Sequence, residues 1–475
     1  MKTLVDVFRF ATLSLSSLLV LSACGGGGSG GGFVPATSTA TPVVSQGVVT
    51  AKGSVFVNGI EFSTVGASIT IDDSPNRPET ELKEGMTVKV RGTSDDATKK
   101  GTAIQVEARD ALEGQIQAID NTNHSITVMG QVVRVEDNIT RLNDDNTIKT
   151  FSAAGFAIND HVEVHGSADD LGGIRATRVA KKATGEFESK GFITGLSATS
   201  FGLSPTPGGA SALTVNFSAG QLPAGAANGS MVQVKSTAAP AAGAVTASLI
   251  KLEDKLGTTG EKVETEGIVT SGTLASFVVN GQQVVTSSAT LYEGGLISDF
   301  AIGVKLEAEG PLNSNGAIAA TKISFRSNIK IEGDASSVSA SGLTVLGKTV
   351  TIDSFTRVDN GPIANGSHVE VRASLDRNGN LKAARIIVLS ASNKAFLQGP
   401  ITAADSVTGT LTILGSTLVS DSATQWRVSS TTTEAAVTKA EFYAQLKATS
   451  VVKVRWDSFT TMTAPIKEAE IELGK

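Results

Sequence analysis

Gly342-Leu-Thr-Val-Leu-Gly347-Lys348-Thr349 satisfies the phosphate-cradling pattern Gly-x4-Gly-Lys-Ser/Thr at every required position. Whether it is a P-loop or a hairpin decides the fold. A P-loop needs a strand, then a loop free to wrap phosphate with its N–H groups, then a helix whose first turn carries the Lys and the Thr. Here the residues between the two glycines alternate as a strand does, and Thr349-Val-Thr-Ile352 continues the alternation on the far side. The stretch reads as two β-strands turning at Gly347. No nucleotide is expected.

The same slot recurs without the Lys-Thr pair. It is Ser54-Val-Phe-Val-Asn58-Gly59, then Ile126-Thr-Val-Met-Gly130, Phe277-Val-Val-Asn280-Gly281 and Leu411-Thr-Ile-Leu-Gly415. Asn-Gly between alternating runs is the strongest short hairpin signal, because both turn residues must take positive φ. Upstream of each slot a glycine stands in an apolar context: Gly47, Gly114, Gly191, Gly267, Gly333 and Gly399, spaced 66–77 residues apart. Downstream comes a V-x-V strand, at Val88-Lys-Val90, Val162-Glu-Val164, Val232-Gln-Val234, Val304-Lys-Leu306, Val369-Glu-Val371 and Val452-Lys-Val454. An alanine and a short β run then close each unit, as in Ala103-Ile-Gln-Val106 and Ala469-Glu-Ile471. Self-similarity at a fixed period is the mark of a repeat architecture.

Each unit thus holds a strand, a hairpin, a variable insertion and two more strands. Five strands with an insertion between the third and fourth follow the order of an OB-like barrel, and closure removes the exposed edges of a short sheet. The expectation is an all-β chain: a tandem array of six small five-stranded OB-like β-barrel modules after a lipobox signal peptide and flexible tether. The expected spans are 47–110, 111–182, 186–254, 262–327, 328–390 and 395–473, with the third the most degenerate. In the sixth, Thr431 with Glu434 suggests a capping box opening a helix whose apolar face is Ala435, Phe442 and Leu446. Modules this small bury only about 60% of their unfolded surface and need neighbours. The short connection from Arg109 to Gly114 brings consecutive barrels into contact, and six in line would extend at most about 170 Å. Whether they run straight or fold back is not legible.

The beginning of the chain speaks to location. Lys2 and Arg9 flank a weakly basic start, and an apolar run from Phe10 to Leu21 ends in Leu21-Ser22-Ala23-Cys24. That run is shorter than the roughly 20 residues a membrane-spanning helix needs, so residues 1–23 read as a removable signal peptide. The Leu-Ser-Ala-Cys end resembles the lipobox of bacterial lipoproteins, which implies lipid attachment to Cys24. Gly25 follows where an aspartate would signal inner-membrane retention, so the resemblance implies the outer membrane. Cys24 is the only cysteine, which removes disulfides and thiolate metal sites. Residues 24–46 are rich in Gly, Ser and Pro and read as a tether. The formal charge is −6, and −7 once a leader carrying Lys2, Asp6 and Arg9 is removed. An acidic chain with Trp 2 and Tyr 2 is a poor candidate for nucleic-acid binding.

The unit G-x-V/I, F-x-V-N-G, G-x-x-V-x-V-x-G and A-x-x-I/V resembles the bacterial repeat family catalogued as domain of unknown function 5666. Gly85-x-x-Val88-x-Val90-x-Gly92 and Gly303-Val304-x-Leu306 carry the likeness best, and it extends from Gly47 to about Leu473. It implies an exported, β-rich tandem array and transfers no catalytic residues.

Few polar constellations stand out. His161-Val-Glu163-Val-His165 places three polar side chains on one strand face, but the histidines lie about 13 Å apart, too far for one zinc. The counterparts Lys89 and Arg91, Lys305 and Glu307, or His368, Glu370 and Arg372 differ so much that a solvated face is expected. His161 with Glu163, or Glu163 with His165, remains a paired alternative. Asp72-Asp73, Asp95-Asp96, Asp144-Asp145 and Asp169-Asp170 sit in polar stretches and read as turns. Asp376-Arg-Asn378-Gly-Asn380 lacks the glycine and glutamate positions of a calcium loop and reads as a hairpin turn. Trp426 and Trp456 read as packing residues. The expectation is therefore no catalytic residue, no metal, no cofactor and an unknown ligand. The functional reading is a lipid-anchored spacer or binding scaffold, with membrane contact through Cys24 and envelope polysaccharide or protein as candidate partner. A glycan- or protein-binding module is the alternative, and an envelope enzyme with an intermodule pocket comes third.

Overall fold

In every repeat the opening glycine lies opposite the first residue of the V-x-V strand. The computed structural model pairs Gly47 with Val88, Gly114 with Val162, Gly191 with Val232, Gly267 with Leu306, Gly333 with Val369 and Gly399 with Val452. It describes residues 40–472 except 52–53, 97, 294–296, 298–299, 327–328, 354–355, 377–378, 430–433 and 447–449. The leader, Cys24 and the glycine run lie outside the described residues.

The hairpins explain those glycines. At the turns Asn58-Gly59, Met129-Gly130, Asn280-Gly281, Leu346-Gly347 and Leu414-Gly415 both residues have φ between 48° and 79°. The first turn residue folds back over the opening strand, so a Cβ on Gly267 would lie 2.9 Å from the Asn280 Cβ, and one on Gly333 2.9 Å from the Leu346 Cδ2. The would-be P-loop is such a hairpin: Gly342–Val345 pairs with Lys348–Thr351 through Leu346-Gly347.

The strands of a unit close in the order opening, hairpin, return, closing, V-x-V and back to opening. The second unit shows the full ring: Leu112–Asp120, Ser125–Val128, Gln131–Arg134, Ile174–Lys182 and His161–Ala168. The third closes the same way through Phe187–Thr194, Ser200–Ser204, Leu213–Asn216, Ala244–Leu252 and Met231–Ser236, and the fifth likewise. In the first and sixth units one ladder of the ring is missing among the described residues. The valines point inward, with Val88, Val90, Val162, Val164, Val452 and Val454 all buried. The fourth unit's equivalents are Leu306 and Ala308, two residues past the expected start at Val304, because Leu306 is the residue opposite Gly267.

Three expectations are corrected. The tether does not reach Gln46: Thr41–Val48 is the first opening strand, with Val43 and Val44 buried in two different cores. The sixth unit's helix is Lys439–Gln445, capped by Thr438 with Glu441 in a reciprocal capping box. Thr431 lies outside the described residues, and Glu434–Val437, Ala435 included, forms a strand paired with Gln425–Ser429. Phe442 faces the core as expected. The third concerns the charged faces. Glu163, His165, Glu307, His368 and Glu370 are buried, whereas Lys305 stays exposed.

Units join through the leading halves of their opening strands. Phe187–Thr194 lies antiparallel to Leu112–Asp120, matching Glu188 with Glu113, and Ile329–Ser339 lies antiparallel to Ala395–Asp405, matching Ile331 with Leu397. These place both barrels of a pair on one side of the shared sheet, so the second and third units share one hydrophobic core and the fifth and sixth another. The first unit skips its neighbours and pairs with the fourth. Thr41–Val48 runs parallel to Lys262–Thr273, with Val44 opposite Val263, Ser45 opposite Glu264 and Gln46 opposite Thr265. Because side chains alternate along a strand, this register puts the inside of one barrel and the outside of the other on the same face. Val43 therefore enters the first core and Val44 the fourth.

Candidate functional site

Strand alternation sends every second residue of the shared sheets away from the barrel interior, and in this chain those residues are charged. Beneath the second and third units they form a row: Glu163 opposite Glu113, Glu113 opposite Glu188, and Glu188 opposite Lys235. The face is not solvated. His165 is 0% exposed and Glu163 3%, because the first unit packs against it through Thr87, Arg109 and Asp73.

Glu163 and His165 meet as a hydrogen-bonded pair. The His165 Nε2 lies 3.1 Å from the Glu163 carboxylate, and its Nδ1 3.1 Å from the Arg109 carbonyl. The other Glu163 oxygen is held by Lys182. Burial acts to raise the Glu163 pKa, but His165 and Lys182 outweigh it and hold the carboxyl down to about 2. A general base needs a pKa near the working pH, so Glu163 is locked as a carboxylate. His161 instead meets Glu113 at 3.3 Å and the Glu186 carbonyl at 2.9 Å. Burial, with Asp110 and Glu163 nearby, pushes the Glu113 carboxyl up to about 7. Deeper still, Lys190 is 2.7 Å from Asp110 and 2.8 Å from Glu188, with all three buried.

The aspartate pairs mostly lie in turns, Asp72 and Asp73 with positive φ and Asp144 with an ion pair to Arg178. Asp169 differs. It is 1% exposed and accepts from the Leu171 and Gly173 N–H groups while holding Arg134 at 2.6 Å. Asp376 accepts from the Asn380 N–H at 2.8 Å, closing the turn expected there. Trp426 packs on Phe442 and Tyr443, and the Trp456 indole donates to the Ala464 carbonyl at 3.1 Å.

Cavities occur where modules meet. A cleft of about 580 Å³ opens among the first four units, with Lys89, Arg109, Phe192, Glu253 and Gln282 on its walls. A smaller one of about 330 Å³ between the first and second has Asp72, Asp144, Glu163, Arg178 and Lys182 around it. Burial raises the Asp72 carboxyl against the pull of His165. Where the second, fourth and fifth units meet, Arg357 and Arg385 both hold Asp359, at 2.9 and 2.5 Å, and Arg372 holds Glu370.

The seam between the first and fourth units carries a group of which the sequence reading named only Glu307, and that as a solvated residue. Glu264, Glu307 and Glu309 are buried with carboxylate oxygens within 4.8 Å of one another. Glu264 and Glu309 are cross-strand partners, as are Glu266 and Glu307. Lys262 and Lys322 hold Glu309 at 2.8 and 2.6 Å, and Arg326 bridges Glu266 and Glu307. The signal was two alternating runs, Lys262-Val-Glu264-Thr-Glu266 and Lys305-Leu-Glu307-Ala-Glu309. Their burial depends on a strand far off in sequence and has no local trace.

A search of curated proteins finds no match to the chain. A family model does match, over residues 43–107, 113–180, 266–324, 332–387 and 398–464. Residues 187–252, between the second and third matched segments, carry the same ring of strand pairings. With more than half of its length matched in repeating segments that share one strand order, the chain belongs to the family described as domain of unknown function DUF5666.

Proposed function

We propose that this chain is a non-enzymatic, lipid-anchored protein of the cell envelope whose barrels form one rigid scaffold held off the outer membrane by the segment after Cys24. The observation carrying this reading is where its chemistry-bearing side chains go. Among the described residues no Phe, Tyr or Trp is exposed, so the aromatic platforms that sugar or single-stranded nucleic acid would stack on have no counterpart there. The charged strand faces are spent on contacts between modules. Further ties cross between units, from Thr177 to the Gly85 carbonyl at 2.6 Å, from Lys382 to Glu136 at 2.7 Å and from Arg357 to the Ile302 carbonyl at 3.1 Å. Such ties favour a stiff body over beads on a flexible string, and a partner would meet loops and strand edges.

The test is metabolic labelling with a clickable fatty acid followed by membrane fractionation. Wild type should carry the label and sediment with outer membranes, whereas Cys24→Ser should be unlabelled. A wild-type protein recovered soluble and unlabelled overturns the proposal.

A further inference from the structure

The three glutamates of the first–fourth seam form a donor set of a recognisable kind. We propose that this seam binds a divalent metal cation through the carboxylates of Glu264, Glu307 and Glu309. All three donors are hard oxygens, the type that calcium and magnesium select. Calcium takes oxygens at about 2.3–2.6 Å, so ligands on opposite sides of one ion stand up to about 5 Å apart, and the 4.8 Å spread of these atoms fits one ion.

A cluster of acids alone would not suffice. The second observation is Glu264 itself, 2% exposed, whose carboxyl is reached by the Ser45 hydroxyl while its Oε1 has no hydrogen-bond partner. A buried polar atom left unpaired costs about 1–3 kcal/mol, more when charged. Something has to meet it. The surrounding charges agree. On its own strand Glu264 has Lys262 and Glu266, and across the ladder Glu307 and Glu309. The closing strand contributes Lys322, followed by Arg326, and Lys305 reaches Glu266 at 2.6 Å. The first module contributes Ser45, opposite Glu264 in register, and Asp96, 3.1 Å from Lys262. Glu264, Glu266, Glu307, Glu309 and Asp96 outnumber Lys262, Lys305, Lys322 and Arg326 by one. Glu293, beyond Ser324, and Lys99, beside Asp96, add one of each sign.

One negative charge is therefore left over in a buried seam, to be neutralised by a proton or a metal ion.

The full chain in detergent, stripped with EDTA, is titrated with Ca²⁺ and with Mg²⁺ by calorimetry at pH 7. Glu264→Gln and Glu307→Gln are run alongside, with far-UV circular dichroism reporting the fold. Wild type should bind one ion. Glu264→Gln keeps the shape of the acid, so it should stay folded and bind at least tenfold more weakly. Glu307→Gln should also weaken binding, which keeps the test decisive if the first variant misfolds. Absence of binding to about 10 mM, beyond the roughly 10⁻⁴–10⁻³ M of extracellular calcium modules, overturns the proposal. So does binding that both variants leave unchanged.

Discussion

A glycine in this chain is most demanding where another strand's backbone crosses it. At the bulges beside Gly92 and Gly166 an added Cβ would run into the carbonyls of Thr102 and Arg175. Backbone cannot swing away as a side chain can, so Gly92→Ala should destabilise the first module by about 1–3 kcal/mol. Gly59 has φ 79° and nothing within 4 Å of an added Cβ, so Gly59→Asn should cost far less. Urea melts of the two variants check the contrast. Charged residues follow their own logic. Lys190→Met leaves Asp110 buried without its cation and Glu188 with Lys235 alone, and removing one partner of a buried pair costs roughly 3–5 kcal/mol. Hydrogen exchange on Phe187–Thr194 should report that loss. Glu113, pushed up to about 7, favours the protonated folded state. Its stabilisation is complete below its ordinary 4.5 and disappears as pH rises through 7, so Glu113→Gln should flatten the fall of Tm between pH 5 and 8. Glu163, held near 2, acts the other way, and its contribution is lost only as pH falls from about 4.5 toward 2. The pairing of Glu163 with His165 was legible because two residues along one strand stand on the same face. Its burial was not, since the covering residues Thr87 and Arg109 belong to another module.

At the scale of elements, the hairpins were the most legible feature. Asn58-Gly59 and Asn280-Gly281 announce their turns by composition, and Leu346-Gly347 could be read by analogy of position. The helix of the sixth unit was misread because Thr431-x-x-Glu434 and Thr438-x-x-Glu441 both fit a capping box. Pairing of Glu434–Val437 with Gln425–Ser429 decided between them, a tertiary fact beyond local propensity. The true cap is testable. Thr438→Ala removes the acceptor for the Glu441 N–H and should cost about 1 kcal/mol. Because the Phe442 ring packs tilted against Trp426, centroids 4.7 Å apart, fluorescence should register the loosening.

For the whole molecule, the repeat was written in the sequence and the arrangement of its copies was not. Pairing of the second with the third unit, and of the fifth with the sixth, at least joins neighbours in the chain, although connections as short lie between units whose opening strands do not pair. Pairing of the first with the fourth does not, and the parallel match of Val44 with Val263 rests on two short strand segments with no shared motif. The fold-back makes a direct prediction. Gln46 and Thr265, 219 residues apart, touch at 3.2 Å and are partners in the ladder. Neighbouring strands hold their Cα atoms about 5 Å apart, within disulfide range, so cysteines at both positions should cross-link under mild oxidant. A straight array would leave them unlinked.

That same pairing bears on how the polypeptide acquires its shape as it is made. Synthesis delivers the amino terminus first, yet the opening strand of the first barrel must wait for residues more than two hundred positions behind it. Until they arrive, a bare strand edge with valines on both surfaces is on offer to any passing chain, the situation that promotes aggregation. Refolding from denaturant should therefore slow most in the step that brings the distant segments together.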